Sequence, residues 1–124
     1  MIIGIGTDIV EVSRIEKLLE KNNDFKNRCF TAAEQELADS RKDSATCYAG
    51  RWAAKEACAK ALGCGIGADC ALADVEILPN DSNAPQLFLH AAARKRAALL
   101  GVKNHHVTIS HEKNYAVATV ILEN

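Results

Sequence analysis

Apolar residues crowd the start of the chain: in MIIGIGTDIV only Gly4, Gly6, Thr7 and Asp8 interrupt the isoleucines and Val10. So dense a β-branched run predicts an inner strand over Ile2–Val10. The pattern then lengthens to a 3.6-residue period, with Ser13 as the cap of a helix through Lys21 in which Ile15, Leu18, Leu19 and Asn22 share a face. Thr31 and Glu34 in FTAAEQELADS have the spacing of a capping box, so a short second helix runs to about Asp39. A longer one, capped by Asp43 or Ser44, ends at Gly63. Two short runs, ADVEILP and PQLFLH, flank the turn-forming NDSNA and read as a hairpin. AAARKRAALLG is a compact helix stopped by Gly101, and HHVTISHEKNYAVATVILE gives two strands joined across Glu112 to Asn114.

The order β, α, α, α, β, β, α, β, β lacks the regular alternation of a doubly wound sheet and predicts an α+β fold with a mainly antiparallel sheet. With 124 residues and no repeat or linker, a single domain over 1–124 is expected. The 15 basic and 16 acidic residues nearly cancel, so no overall field favours nucleic acid or an anionic membrane, and an acidic partner must meet a local patch. Five cysteines, an odd number with no C-x-x-C, argue against a disulfide framework or zinc knuckle and for free thiols in a reducing compartment. The first residues lack the basic region of a signal peptide, and no apolar run approaches the ~20 residues that span a bilayer. A cytoplasmic location is expected.

Candidate chemistry centres on RWAAKEACAKALG, Arg51 to Gly63. At about 100° per residue, Tyr48, Arg51, Trp52, Lys55, Glu56 and Lys60 spread over one half of the helix, while Cys47, Gly50, Ala53, Ala54, Ala57 and Ala61 make a small-residue half suited to close packing. Glu56 and Lys60, at i and i+4, have the spacing of a surface ion pair worth only ~0.3–0.5 kcal/mol. Asp8 changes their meaning, because a carboxylate in the run IIGIGTDIV requires a cation. That cation is a lysine or arginine, a helix N-terminus or a metal ion. If Asp8 and Glu56 converge, two hard oxygen ligands suit Mg²⁺, which keeps waters and shares phosphate oxygens, and Lys60 one turn on would reach a phosphate. The glycines of GCGIG follow a helix instead of preceding one, so they make no P-loop.

Taken together, GIGTDIVEVSRI, FTAAE, RWAAKEACAKALG and VTISHEKNYAVATVI resemble the holo-[acyl-carrier-protein] synthases, small bacterial 4'-phosphopantetheinyl transferases, essentially from end to end. The resemblance implies that family's fold. It also implies transfer of 4'-phosphopantetheine from coenzyme A to a serine of acyl carrier protein, in support of fatty acid biosynthesis, with magnesium as cofactor. Asp8 and Glu56 then match the metal-binding acids and Lys60 a lysine near the coenzyme A phosphates. Ser110 and His111 match the region near the adenosine 3'-phosphate, and Pro85 a wall of the nucleotide pocket. Where the family often carries Gly-Lys before that proline, this chain has SNAPQ, and nothing beyond Pro85 is carried over there. Arg14 matches a residue that docks the acidic carrier protein; Lys17 and Lys21 follow it on one side of the first helix. The serine proton would go to Glu56 or a metal-bound water. A homotrimer is implied, with active sites between subunits.

Two other classes compete with this reading. His105, His106, His111 and Glu112 offer the donor types of a zinc site. A non-enzymatic oligomeric module would leave Asp8 and Glu56 merely paired with Lys55 and Lys60. Ser110 and His111, as neighbours on a strand, face opposite sides and make no nucleophilic dyad. Cys58 lies on the packing side of its helix, and the RKR of Arg94–Arg96 reads as a solvated face.

Overall fold

The computed structural model describes all 124 residues. In chain order they form β1 (Ile2–Glu11), α1 (Val12–Lys21), α2 (Asn23–Cys29), α3 (Ala32–Asp39), α4 (Ser44–Ala61), a 3-10 turn (Leu72–Asp74), β2 (Val75–Pro79), β3 (Pro85–Leu89), α5 (Ala91–Leu100), β4 (Asn104–His111) and β5 (Tyr115–Glu123). Every strand pairing is antiparallel, in two sheets, β1-β5-β4 and β2-β3. The fold is α+β, as the pattern predicts, with the sheet divided in two. No helix is long and apolar enough to cross a membrane.

Helix α4 is the centre of the molecule. From Ala53 to Ala59 every residue except Glu56 is buried, because the large sheet lies on one side and α3 with β2 on another. The predicted close approach is present and depends on two glycines. A Cβ on Gly4 would stand 2.0 Å from the Ala61 carbonyl oxygen, and one on Gly6 1.9 Å from that of Ala57. Only a residue without a side chain lets β1 lie directly on the helix backbone. Because side chains alternate along a strand, Gly4, Gly6 and Asp8 share the face turned toward α4.

Several boundaries differ from the expectation. Strand β1 is an edge strand, not an inner one, since β5 takes the middle of the sheet. Its apolar density has another cause: Ile5 and Ile9, each 65% exposed, lie on the sheet face that no helix of the chain covers. Helix α1 begins at Val12, whose N–H donates to the Asn114 carbonyl, so a tertiary contact replaces the expected Ser13 cap. Asn22 is exposed and ends α1; its side chain accepts from the Asp24 N–H and starts α2, an element of seven residues with too little periodicity to predict. The capping box at Thr31 and Glu34 is present, and Asp43, not Ser44, caps α4 by accepting from the Thr46 N–H.

Candidate active site

Asp8 projects from β1 onto the last turns of α4. The Lys60 ammonium donates to Asp8 Oδ1 at 3.2 Å and to the Thr7 carbonyl at 2.9 Å. Lys60 is largely exposed, so the pair adds little stability, but it holds an ammonium at the mouth of the site. Glu56 lies close by: partial burial, and then the negative charge of Asp8, push its carboxyl above the ordinary 4.5, against the opposing pull of Lys60 and Arg14. Two carboxylates held together against their repulsion are a hard-oxygen donor pair, which is what Mg²⁺ takes.

Lys55 departs from the expectation. It is fully buried and bonded to Glu34, itself fully buried, at 2.7 Å, so it leaves the charged arc of α4. The half-and-half helical wheel fails because α4 is packed on more than one side. On α1, the exposed Arg14, Lys17 and Lys21 line one shallow groove with Leu18. Arg14 is near enough to Glu56 to stabilise its charge, which sets the basic groove at the edge of the carboxylate pair.

The other expected residues fall elsewhere in the chain. His111 borders a pocket of about 220 Å³ with Arg41, Lys42 and Arg51, and the Arg51 Nε is buried there without a hydrogen-bond partner. With three further basic or imidazole groups against the one carboxylate of Asp43, the orphaned guanidinium nitrogen makes this a pocket suited to an anion. Ser110 is not in that pocket. It pairs with Val117 and lies on the uncovered sheet face, opposite His111. Pro85 lines a cleft of about 670 Å³ between β3 and β4, with Asn80, Phe88, His90, Arg94 and His105 among its walls. Burial in that wall pushes the His105 imidazole below its ordinary value.

Arg41, Lys42 and His90 carry no periodicity or motif that marks them, while Arg51 is legible only as part of the charged arc of α4. Arg94 faces the cleft and Arg96 donates to the Leu62 carbonyl at the end of α4, so the RKR run is not simply a solvated face. The zinc alternative fails on geometry: nowhere do three His, Cys, Asp or Glu side chains converge, and His106 instead meets Glu123 at 2.6 Å. All five thiols are free, with Cys58 and Cys70 buried and pushed up to about 12 by desolvation.

A family model described as the 4'-phosphopantetheinyl transferase superfamily matches residues 4–120. The chain belongs to this superfamily. Among the members it resembles is the holo-[acyl-carrier-protein] synthase of Vibrio atlanticus, 44% identical over 98% of both chains. That of Magnetococcus marinus is 43% identical over 99% of this chain and 94% of the relative. Solved structures agree. The synthase of Bacillus anthracis in complex with CoA (3',5'-ADP) superposes with a TM-score of 0.83 at 40% identity, over 98% of this chain and 96% of that one. The Neisseria meningitidis enzyme gives 0.91 at 32% identity over the whole of both. A superfamily member thus presents, in one chain, a carboxylate pair with a lysine, a basic pocket and a cleft, at three separate places.

Proposed function

We propose that this protein transfers 4'-phosphopantetheine from coenzyme A to a serine of acyl carrier protein, releasing adenosine 3',5'-bisphosphate, in the service of fatty acid biosynthesis. The observation that carries the reading is the convergence of Asp8, Glu56 and Lys60 where β1 meets α4, in a chain 44% identical to a holo-[acyl-carrier-protein] synthase. Asp8 and Glu56 are the residues that would hold Mg²⁺. Magnesium, when bound, supplies positive charge to the pyrophosphate oxygens.

The carrier serine oxygen attacks the β-phosphate of coenzyme A; a new O–P bond forms as the bond to the departing bisphosphate breaks. Lys60 stabilises the charge that gathers on the phosphate oxygens. Glu56, whose carboxyl is raised by burial and by Asp8, is the proton acceptor this chain itself supplies for the serine hydroxyl. The pocket of Arg41, Lys42, Arg51 and His111 takes the 3'-phosphate, and the cleft beside Pro85 takes the nucleotide. Arg14, Lys17 and Lys21 dock the acidic carrier, with Arg14 leading its serine toward the carboxylates.

The active form is a homotrimer. Its support is the uncovered face of β1, β5 and β4, where the apolar pairs Ile5–Ile121 and Ile9–Val117 flank a row of Thr7, Thr119 and Thr108. Association through that face lets the basic pocket of one subunit complete the carboxylate site of another and brings Ser110 to the junction. The cytoplasm, where five unpaired thiols stay reduced, is its location. Coenzyme A supplied with Mg²⁺ and apo carrier should yield adenosine 3',5'-bisphosphate mole for mole with holo carrier, and chelation should stop it. Absence of the bisphosphate from the complete mixture would overturn the reading.

A further inference from the structure

The hairpin β2-β3 forms the cleft wall, yet it joins no strand of the large sheet. The outer edge of β2, the one away from β3, is satisfied by two side chains instead. Lys55 Nζ donates to the Leu72 carbonyl at 3.0 Å and to the Val75 carbonyl, and its third proton goes to Glu34 Oε1 at 2.7 Å. Glu34 Oε2 accepts the Ile77 N–H at 2.9 Å, while Oε1 also accepts the Thr31 N–H that starts α3. A lysine from α4 and a glutamate from α3 therefore stand where a neighbouring strand would be, and all three ammonium protons are used.

Such a pair is a costly way to stabilise a core, because desolvation offsets much of the attraction; burial alone holds the Lys55 ammonium below its ordinary value. A hydrophobic pair would pack as well but would leave the Val75 carbonyl and Ile77 N–H unbonded and the hairpin free to slide. Lys55 is also the immediate neighbour of Glu56. We propose that Lys55 and Glu34 are positioning residues, which fix the β2-β3 hairpin, and with it the nucleotide cleft, at a set distance from Glu56 on α4 and its partner Asp8 on β1. The proposal rests on the cleft being the coenzyme A pocket. Its effect is on coenzyme A and not on the carrier, which meets α1.

The test compares the wild type with the neutral pair Lys55→Met/Glu34→Gln and, as a second variant that keeps the Lys55 bonds to the Leu72 and Val75 carbonyls, Glu34→Gln alone. Amide hydrogen exchange, read without substrate, should accelerate about tenfold or more across Val75–Leu89 while α4, β1 and β5 keep their protection. In the transfer assay KM for coenzyme A should rise about tenfold in the pair and severalfold in Glu34→Gln, with KM for the carrier within roughly twofold of wild type. Exchange that rises uniformly over the chain, or a folded variant with unchanged hairpin exchange and unchanged coenzyme A KM, would overturn it. A wild type that transfers nothing would instead sink the functional reading, and the exchange result would still decide the role of the pair in holding the hairpin.

Discussion

Two neighbours on α4 show how much one residue's surroundings decide. Lys55 and Glu56 are adjacent charges in the same Lys-Glu-Ala run, but Lys55 is sealed into the interior with Glu34, whereas Glu56 opens toward Asp8. Glu56 pays for its place: a carboxyl raised above the ordinary 4.5 binds protons more tightly folded than unfolded, so stability falls as pH rises from about that value through the folded pKa. Glu56→Gln should therefore raise thermal stability at pH 7, by no more than about 1 kcal/mol because solvent screens the site, with little change at pH 4. It should also abolish transfer; thermal melts at both pH values beside a turnover assay check this. Arg14→Glu should raise the carrier's KM on the order of tenfold at low salt and much less at high salt, a dependence read by repeating the titration at two ionic strengths. At this scale the sequence revealed the carboxylates through the incongruity of Asp8 in an apolar run. It could not separate Lys55 from Glu56, because the helical wheel says nothing about how many sides of α4 are covered.

Among the elements, the contact of β1 with α4 does most to assemble the site. Gly4 and Gly6 remove the side chains that would part strand from helix, and two residues on the same alternation delivers Asp8 to Lys60. Gly6→Ala places a methyl group against the Ala57 carbonyl and should cost about 3 kcal/mol of stability, measured by denaturant unfolding, with loss of transfer in whatever remains folded. The small arc of α4 was legible in the sequence as a packing signal; the glycines of β1 were not, since interruptions of an apolar run do not say what backbone approaches them. Helix α2 was not, for it is held by Phe25 and Cys29 in the core and carries too few turns to show a period. Nor was the division of the sheet, since alternation within β2 and β3 does not say that the edge partner of β2 is a pair of side chains.

In the whole molecule, the basic pocket and the cleft beside Pro85 lie apart from the carboxylate pair, and one face of the large sheet is bare. Ile9→Lys should break the proposed trimer into monomers in analytical ultracentrifugation and take transfer with it, while the monomer keeps its far-ultraviolet spectrum; a fully active monomer would refute the shared site. The sequence carried this only by resemblance, as apolar residues on both faces of β1 read equally well as an inner strand. The reaction itself is decided by the intact mass of apo acyl carrier protein after incubation with the protein, coenzyme A and Mg²⁺. The carrier serine should gain one 4'-phosphopantetheine, a gain absent with Asp8→Ala. An unshifted mass across several apo carriers would contradict the proposed transfer.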